Sequence, residues 1–257
     1  MKRAWIILLL LLPLAAQQLN DGDAHGDPPF LVEDGWRPLL NGRDLGGWHG
    51  IANQKSDWYA TACVLWERLL GPTRLGGKPA PSGTVLNGSG RTANLITDQK
   101  FGDMELYLEF MLAKGSNSGV YLHSLYELQI FDSYGSTEPM TSSDGGGIYH
   151  RWINNQGVGG SAPSMNASRP PGQWQTYQIW FQAPRFDSSG KKIENAKFIR
   201  VLFNGFPVQQ NVDVDGPTRA ANNIPEAPAN PLMLQGDHGP VAFKNIYWRP
   251  LRPIIER

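Results

Sequence analysis

The chain has a single cysteine, Cys63, among its 257 residues. A lone thiol closes no internal disulfide even in an oxidising compartment, so stability has to come from apolar burial. Cys63 lies in Thr61-Ala-Cys-Val-Leu-Trp66 and is expected to be a small buried residue, not a catalytic thiol. An excess of charge of one sign is also missing, because 23 Lys and Arg offset 23 Asp and Glu. With no basic cluster to meet phosphates, nucleic acid is a poor candidate partner. After the first dozen residues no apolar run is long enough to cross a bilayer. Helical periodicity between strand-like segments and internal repeats are absent too.

Residues 1–16 carry Lys2 and Arg3, an apolar run from Ala4 to Leu12, and then Pro13-Leu-Ala-Ala16. That is the layout of a secretory signal peptide, with an uncleaved anchor helix as the alternative. No cysteine near residue 17 offers a lipid-attachment site. The chain is therefore expected to be exported, to the periplasm or beyond, with no membrane span once the signal is removed. Residues 17–30, with Asp27-Pro-Pro29, read as a flexible leader, and residues 31–257 as a single β domain.

What is abundant is glycine (29) and proline (20), set among Val, Ile, Trp, Tyr and Phe. This describes many short strands separated by turns. Met104–Leu112 alternates Leu106, Leu108, Phe110 and Leu112 against Glu105, Tyr107, Glu109 and Met111. Further strands fit 174–181, 198–203, 208–212, 232–235 and 241–248. Asn204-Gly205, between two apolar runs, predicts a tight hairpin because both residues tolerate positive φ. The fold class expected is all-β, two antiparallel sheets packed as a sandwich. Pro184 to Ala196 reads as an exposed hairpin extension. The long polar stretch Ser133 to Ser168 contains Gly145-Gly-Gly147 and Gly157-Val-Gly-Gly160. Tyr149, His150 and Trp152 within it suggest an ordered loop over a site. Its glycines are not a phosphate loop, since no Lys-Ser/Thr or following helix pattern appears.

The most informative stretch is Asn117-Ser-Gly-Val-Tyr-Leu-His123 followed by Tyr126-Glu-Leu-Gln-Ile-Phe-Asp132. Strand side chains alternate between faces, so Glu127 and Gln129 share one face while Leu128 and Ile130 fill the other. The polar face is either a site or merely solvated. His123 is placed on the parity of Tyr121, and Asn117 and Gly119 are read as turn residues.

Eight segments, in order, resemble the bacterial 3-keto-disaccharide hydrolase or 3-keto-glucoside lyase/hydratase family. They are Leu39-Leu-Asn-Gly-Arg-Asp-Leu-Gly-Gly-Trp48, Phe101-Gly-Asp-Met-Glu-Leu-Tyr-Leu-Glu-Phe110, Asn117 to Leu122, Tyr126 to Asp132, Gly172-Gln-Trp-Gln-Thr-Tyr177, Phe203-Asn-Gly205, Leu234-Gln-Gly-Asp-His-Gly239 and Phe243-Lys-Asn-Ile246. The resemblance implies a concanavalin A-like jelly-roll sandwich related to laminarinase-type glycoside hydrolases. It also implies a carbohydrate substrate, often one already oxidised at the 3-hydroxyl by a separate oxidoreductase.

Retaining glycosidases need two carboxyl groups about 5 Å apart. The laminarinase-type relatives set them on one strand as Glu-x-Asp-x-x-Glu, spaced by a bulge; here the corresponding residues are Glu127, Gln129 and Asp132. The amide at Gln129 speaks against ordinary double displacement. A 3-keto group acidifies the hydrogen at C2 and opens an elimination route, which needs a base, an acid for the leaving oxygen and donors to an enolate. The catalytic residues expected are Glu127 as base or acid, Asp132 as a second acid/base or positioning group, and Gln129 as a hydrogen-bond partner. His123, Tyr149, His150, Trp152, Gln235 and His238 are the expected substrate contacts, with Trp152 favoured for stacking on a sugar ring. No His-x-x-x-His spacing marks a metal site, although a divalent cation held by His and carboxylates could polarise the 3-keto oxygen. Two rivals to an enzyme are a lectin-like binding module of the same fold and a protein-interaction domain.

Overall fold

The computed structural model describes residues 27–252; the signal segment 1–16 and most of the leader lie outside the described residues. Two antiparallel sheets stack face to face, as the alternation predicts. The larger runs in spatial order Phe206–Val214, Ala196–Phe203, Trp174–Gln182, Met104–Leu112, Val241–Pro250, Thr84–Leu86 and Tyr59–Ala60, with Arg37–Pro38 also paired to Val241–Pro250. The smaller runs Tyr126–Phe131, Asn117–Leu122, Asn230–Leu234, Leu95–Phe101 and Trp48–Gly50.

Leu106, Leu108, Phe110 and Leu112 point inward from the large sheet to meet Val120, Leu122, Leu128 and Ile130 from the small one. Tyr177 crosses this core and donates its hydroxyl to the backbone oxygen of Gln129 at 2.6 Å. Asn204 and Gly205 take φ of 49° and 82° and let Phe203 pair with Phe206, the predicted hairpin. The insert after Ala183 is a small hairpin of Arg185–Phe186 and Lys192–Glu194.

The polar alternates of Met104–Leu112 are not solvated. Glu105 is 1% exposed and accepts from Gln178 Nε2 at 2.8 Å and Arg249 Nε at 2.7 Å. Burial nonetheless raises its pKa. Chain from the N-terminal side covers this outer face: Phe30 stacks on Tyr247 at 4.0 Å and Arg249 lies over the Trp36 ring. The end of the expected flexible leader is thus packed against the sheet. A hairpin of Leu65–Glu67 and Gly71–Gly76 covers the other end, setting Leu75 on Met111 and Ala242. Cys63, just before it, is exposed, contrary to expectation, because 62–65 runs over the surface instead of through the core.

The small sheet presents Gly119, Tyr121, Glu127 and Gln129 on its outer face. Tyr126–Phe131 would leave an open edge, but the glycine-rich loop seals it. Gln129 N donates to Gly147 O at 2.8 Å, Gly146 N to Gln129 O at 3.0 Å and Tyr149 N to Glu127 O at 3.0 Å. Covering an edge in this way removes an aggregation-prone row of backbone groups.

Candidate active site

Glu127 is directly opposite Tyr121 across the hairpin, and Gln129 is opposite Gly119. Directly opposed residues of an antiparallel pair share a face, so these four form one patch. Gly119 is not a turn residue. It sits mid-strand, and a Cβ there would run into Glu127 Oε1 and lie 3.0 Å from Glu127 Cγ. The missing side chain is the space that the carboxyl occupies.

Glu127 and Gln129 are each 2% exposed and Tyr121 is fully buried. Burial pushes the Glu127 carboxyl up to about 8; the Asp237 carboxylate adds repulsion, and a hydrogen bond from Tyr121 partly offsets both. The Tyr121 phenol is raised well above its ordinary value by burial and by Glu127. Glu127 therefore carries its proton at neutral pH, as a general acid requires. Gln129 Oε1 and Gln235 Oε1 are buried without a hydrogen-bond partner among the described residues. An orphan such as that of Gln129 is costly in a folded protein and marks a place where a ligand can donate.

Gln235 joins the patch through its backbone, its N–H donating to Gly119 O at 2.9 Å. Its amide lies 3.2 Å from His238 Nδ1, which in turn lies 2.6 Å from Asp237 Oδ1. With Nδ1 protonated toward Asp237, the opposite nitrogen Nε2 is left as an acceptor. The Gln235 amide turned over would place Oε1 on the same Nδ1–H and satisfy it. Asp237 opens on a cleft of about 360 Å³ that Arg91, Asn94 and Gln54 also line.

Three expected residues fall elsewhere. The Glu-x-Asp-x-x-Glu comparison needs a bulge, yet the register from Tyr126 to Phe131 is unbroken. Asp132 consequently leaves the sheet and accepts from Gly115 N at 2.7 Å, holding the turn at 113–116. It does not meet Glu127. His123 does not continue the strand parity either, because φ of 57° turns it back. Its ring packs on Phe181 and Tyr126 in the core, where burial lowers its pKa to about 4. Trp152 is 46% exposed, on a small hairpin of Arg151–Ile153 and Gln156–Val158, and one ring face carries the Arg219 guanidinium at 4.0 Å. Only its other face is open to a sugar.

Tyr149 is placed beside the site, its backbone on Glu127 and its hydroxyl in the field of Tyr121. His150 follows it, ring against ring at 4.2 Å, with burial lowering its pKa. Tyr121, Asp237 and the glycine at 119 were not among the expected site residues. Among the described residues no three His, Cys, Asp or Glu side chains group together as a metal-ligand set would. No described helix is long and apolar enough to cross a membrane.

The sequence profile of the 3-keto-alpha-glucoside-1,2-lyase-like domain matches residues 35–249. No curated protein matches the chain in sequence. Among solved structures, a candidate glycosyl hydrolase of Parabacteroides distasonis is 25% identical, with a TM-score of 0.62 over 85% of this chain and 84% of that one. A second candidate glycosyl hydrolase of the same organism is 14% identical with a TM-score of 0.52, covering 85% and 95%. A third is 19% identical with a TM-score of 0.50, covering 84% and 99%. The two less similar proteins bear on fold alone, which they share with this two-sheet antiparallel sandwich.

Proposed function

The chain belongs to the 3-keto-alpha-glucoside-1,2-lyase-like domain family, and from that premise we propose that it is an exported enzyme cleaving 3-keto-glucosides by elimination and hydration. The observation that carries this reading is Glu127: a buried carboxyl, protonated at neutral pH, with an amide as its neighbour on the strand. Double displacement needs an ionised nucleophile there. Elimination needs a proton for the leaving oxygen, which Glu127 holds.

The base is His238. Its ring is oriented through Nδ1 by Asp237, and Nε2 takes the proton from C2 of the keto sugar. The electron pair passes to the 3-keto oxygen as an enolate, then returns to expel the C1 oxygen, which receives the Glu127 proton. Water adds at C1 of the unsaturated product and C2 regains a proton, for net hydrolysis. Gln129 accepts from a sugar hydroxyl through its orphaned Oε1. An enzyme that oxidises the C3 hydroxyl supplies the substrate.

Turnover in deuterated water tests the route. Elimination and hydration place deuterium at C2 of the released sugar, read by mass spectrometry. Cleavage with no label at C2, or equal cleavage of the unoxidised disaccharide, would overturn it. A lectin-like role draws on the near-complete burial of Glu127 and Gln129, and binding of both sugars without cleavage would establish it instead.

A further inference from the structure

A second cleft, of about 540 Å³, is bounded in part by His238, Gly239 and Pro240. Arg74, Arg91 and Lys114 line it, together with Thr73 and Ser89, and no Asp or Glu does. In a protein of zero net charge this is a local excess of one sign. None of the three cations has an ion pair or side-chain hydrogen bond among the described residues, although nine ion pairs are formed elsewhere on them. Of the carboxylates around it, Asp132 accepts from the Gly115 amide and Asp237 is paired with His238, while Glu67 lies near Gly71 and the Arg74 stem without forming an ion pair.

The cleft walls are held in place. Asn87 Nδ2 donates to Gly236 O at 3.1 Å and Gly239 O at 2.8 Å, while its Oδ1 accepts from Val241 N at 2.9 Å. Ser116 Oγ donates to Pro240 O at 2.7 Å. Gly90 has φ of 76° and packs its Cα against Gly239 and Pro240, closer than any side chain would allow. The three loops bearing Arg91, Lys114 and His238 are thus pinned to one another through backbone groups. Unpaired cations on a rigid concave wall, with no acid among them, are preorganised for an anion.

We propose that this cleft is the leaving-group subsite and that it selects an aglycone or second sugar bearing a carboxylate, sulfate or phosphate. The inference rests on the reading of His238 as the base, because His238 touches the Gln235 amide of the Glu127 patch and also lines this cleft. A glycoside spanning it would place its reducing-end anion on Arg74 and Lys114, with Arg91 at the junction of the two clefts.

Calorimetry with unoxidised phenyl glucoside and 4-carboxyphenyl glucoside, each anomer in turn, tests this on the wild-type chain. The charged ligand should bind on the order of tenfold more tightly than the neutral one. The preference should shrink with added salt and collapse in Arg74→Gln/Lys114→Gln, two exposed positions whose replacement leaves thermal unfolding in place. A sulfophenyl counterpart separates an anion site from one shaped for carboxylate. Equal affinities, absence of binding by the charged glucoside, or a preference unmoved by the double variant would each overturn the proposal. Turnover of the two 3-keto forms is scored separately: a surviving binding preference with no cleavage of either would fault the catalytic reading and leave the subsite standing.

Discussion

In the unfolded chain Glu127 ionises near its ordinary value of 4.5, whereas burial holds its proton to about 8 in the folded protein. Between those values the folded state binds the extra proton, so this group's contribution to stability falls as pH rises from about 4.5 to 8. Glu127→Gln keeps the shape and cannot ionise. Its melting temperature relative to wild type should therefore climb between pH 5 and pH 9, read by calorimetric scans, while turnover of a 3-keto-glucoside drops by about 10²–10⁴. Alternation alone placed Glu127 and Gln129 on one face. Tyr121 was equally legible, because a hairpin pairing Leu122 with Tyr126 sets Tyr121 opposite Glu127; only the register had to be applied. Asp237 was not legible as a neighbour of Glu127, since nothing local records that the loop after Leu234 folds back over the strand pair.

At the scale of elements, the hairpin 117–131 is a scaffold for one carboxyl, and Gly119 is the part that makes room for it. Gly119→Ala should displace Glu127 and lower turnover by about 10²-fold. It should cost about 1–3 kcal/mol in urea unfolding, as overpacking does. Asp132→Ala separates a turn residue from a catalyst. It should lose about 1–2 kcal/mol with the bond to Gly115 and leave turnover within about twofold; a large fall in activity with unchanged stability would return Asp132 to the site. The expectation for Asp132 failed on one assumption, a bulge that the chain does not contain. His123 failed because a positive φ is invisible to alternation. Strands rich in alternating apolar residues, such as Met104–Leu112 and the Asn204-Gly205 hairpin, were read with close to their true bounds. Leu95–Phe101 was missed, as Leu-Ile-Thr-Asp-Gln-Lys packs three buried residues beside three exposed ones and shows no period of two.

For the whole molecule, the sandwich is closed on its outer side by an ion pair as well as by apolar packing. Arg249 binds Glu105 and Glu33 and rests on Trp36, so the last strand fastens the first described segment to the large sheet. Arg249→Met would leave Glu105 buried and uncompensated, and a loss of about 3–5 kcal/mol is expected in urea unfolding. Sequence placed Glu105 on the face opposite Leu106 and Leu108 but not under a cover, because a strand pattern says which face a residue takes, not what other chain lies over it. Tyr177 carries the remaining consequence. Its hydroxyl, rooted in the large sheet, holds the backbone of the very strand that bears Glu127, and that backbone also anchors the glycine loop. The strand bearing Glu127 is thereby part of the most protected cooperative unit and has no independent opening: amide exchange at Gln129 and Gly146 should proceed only through global unfolding, as slowly as exchange in the middle of the sandwich.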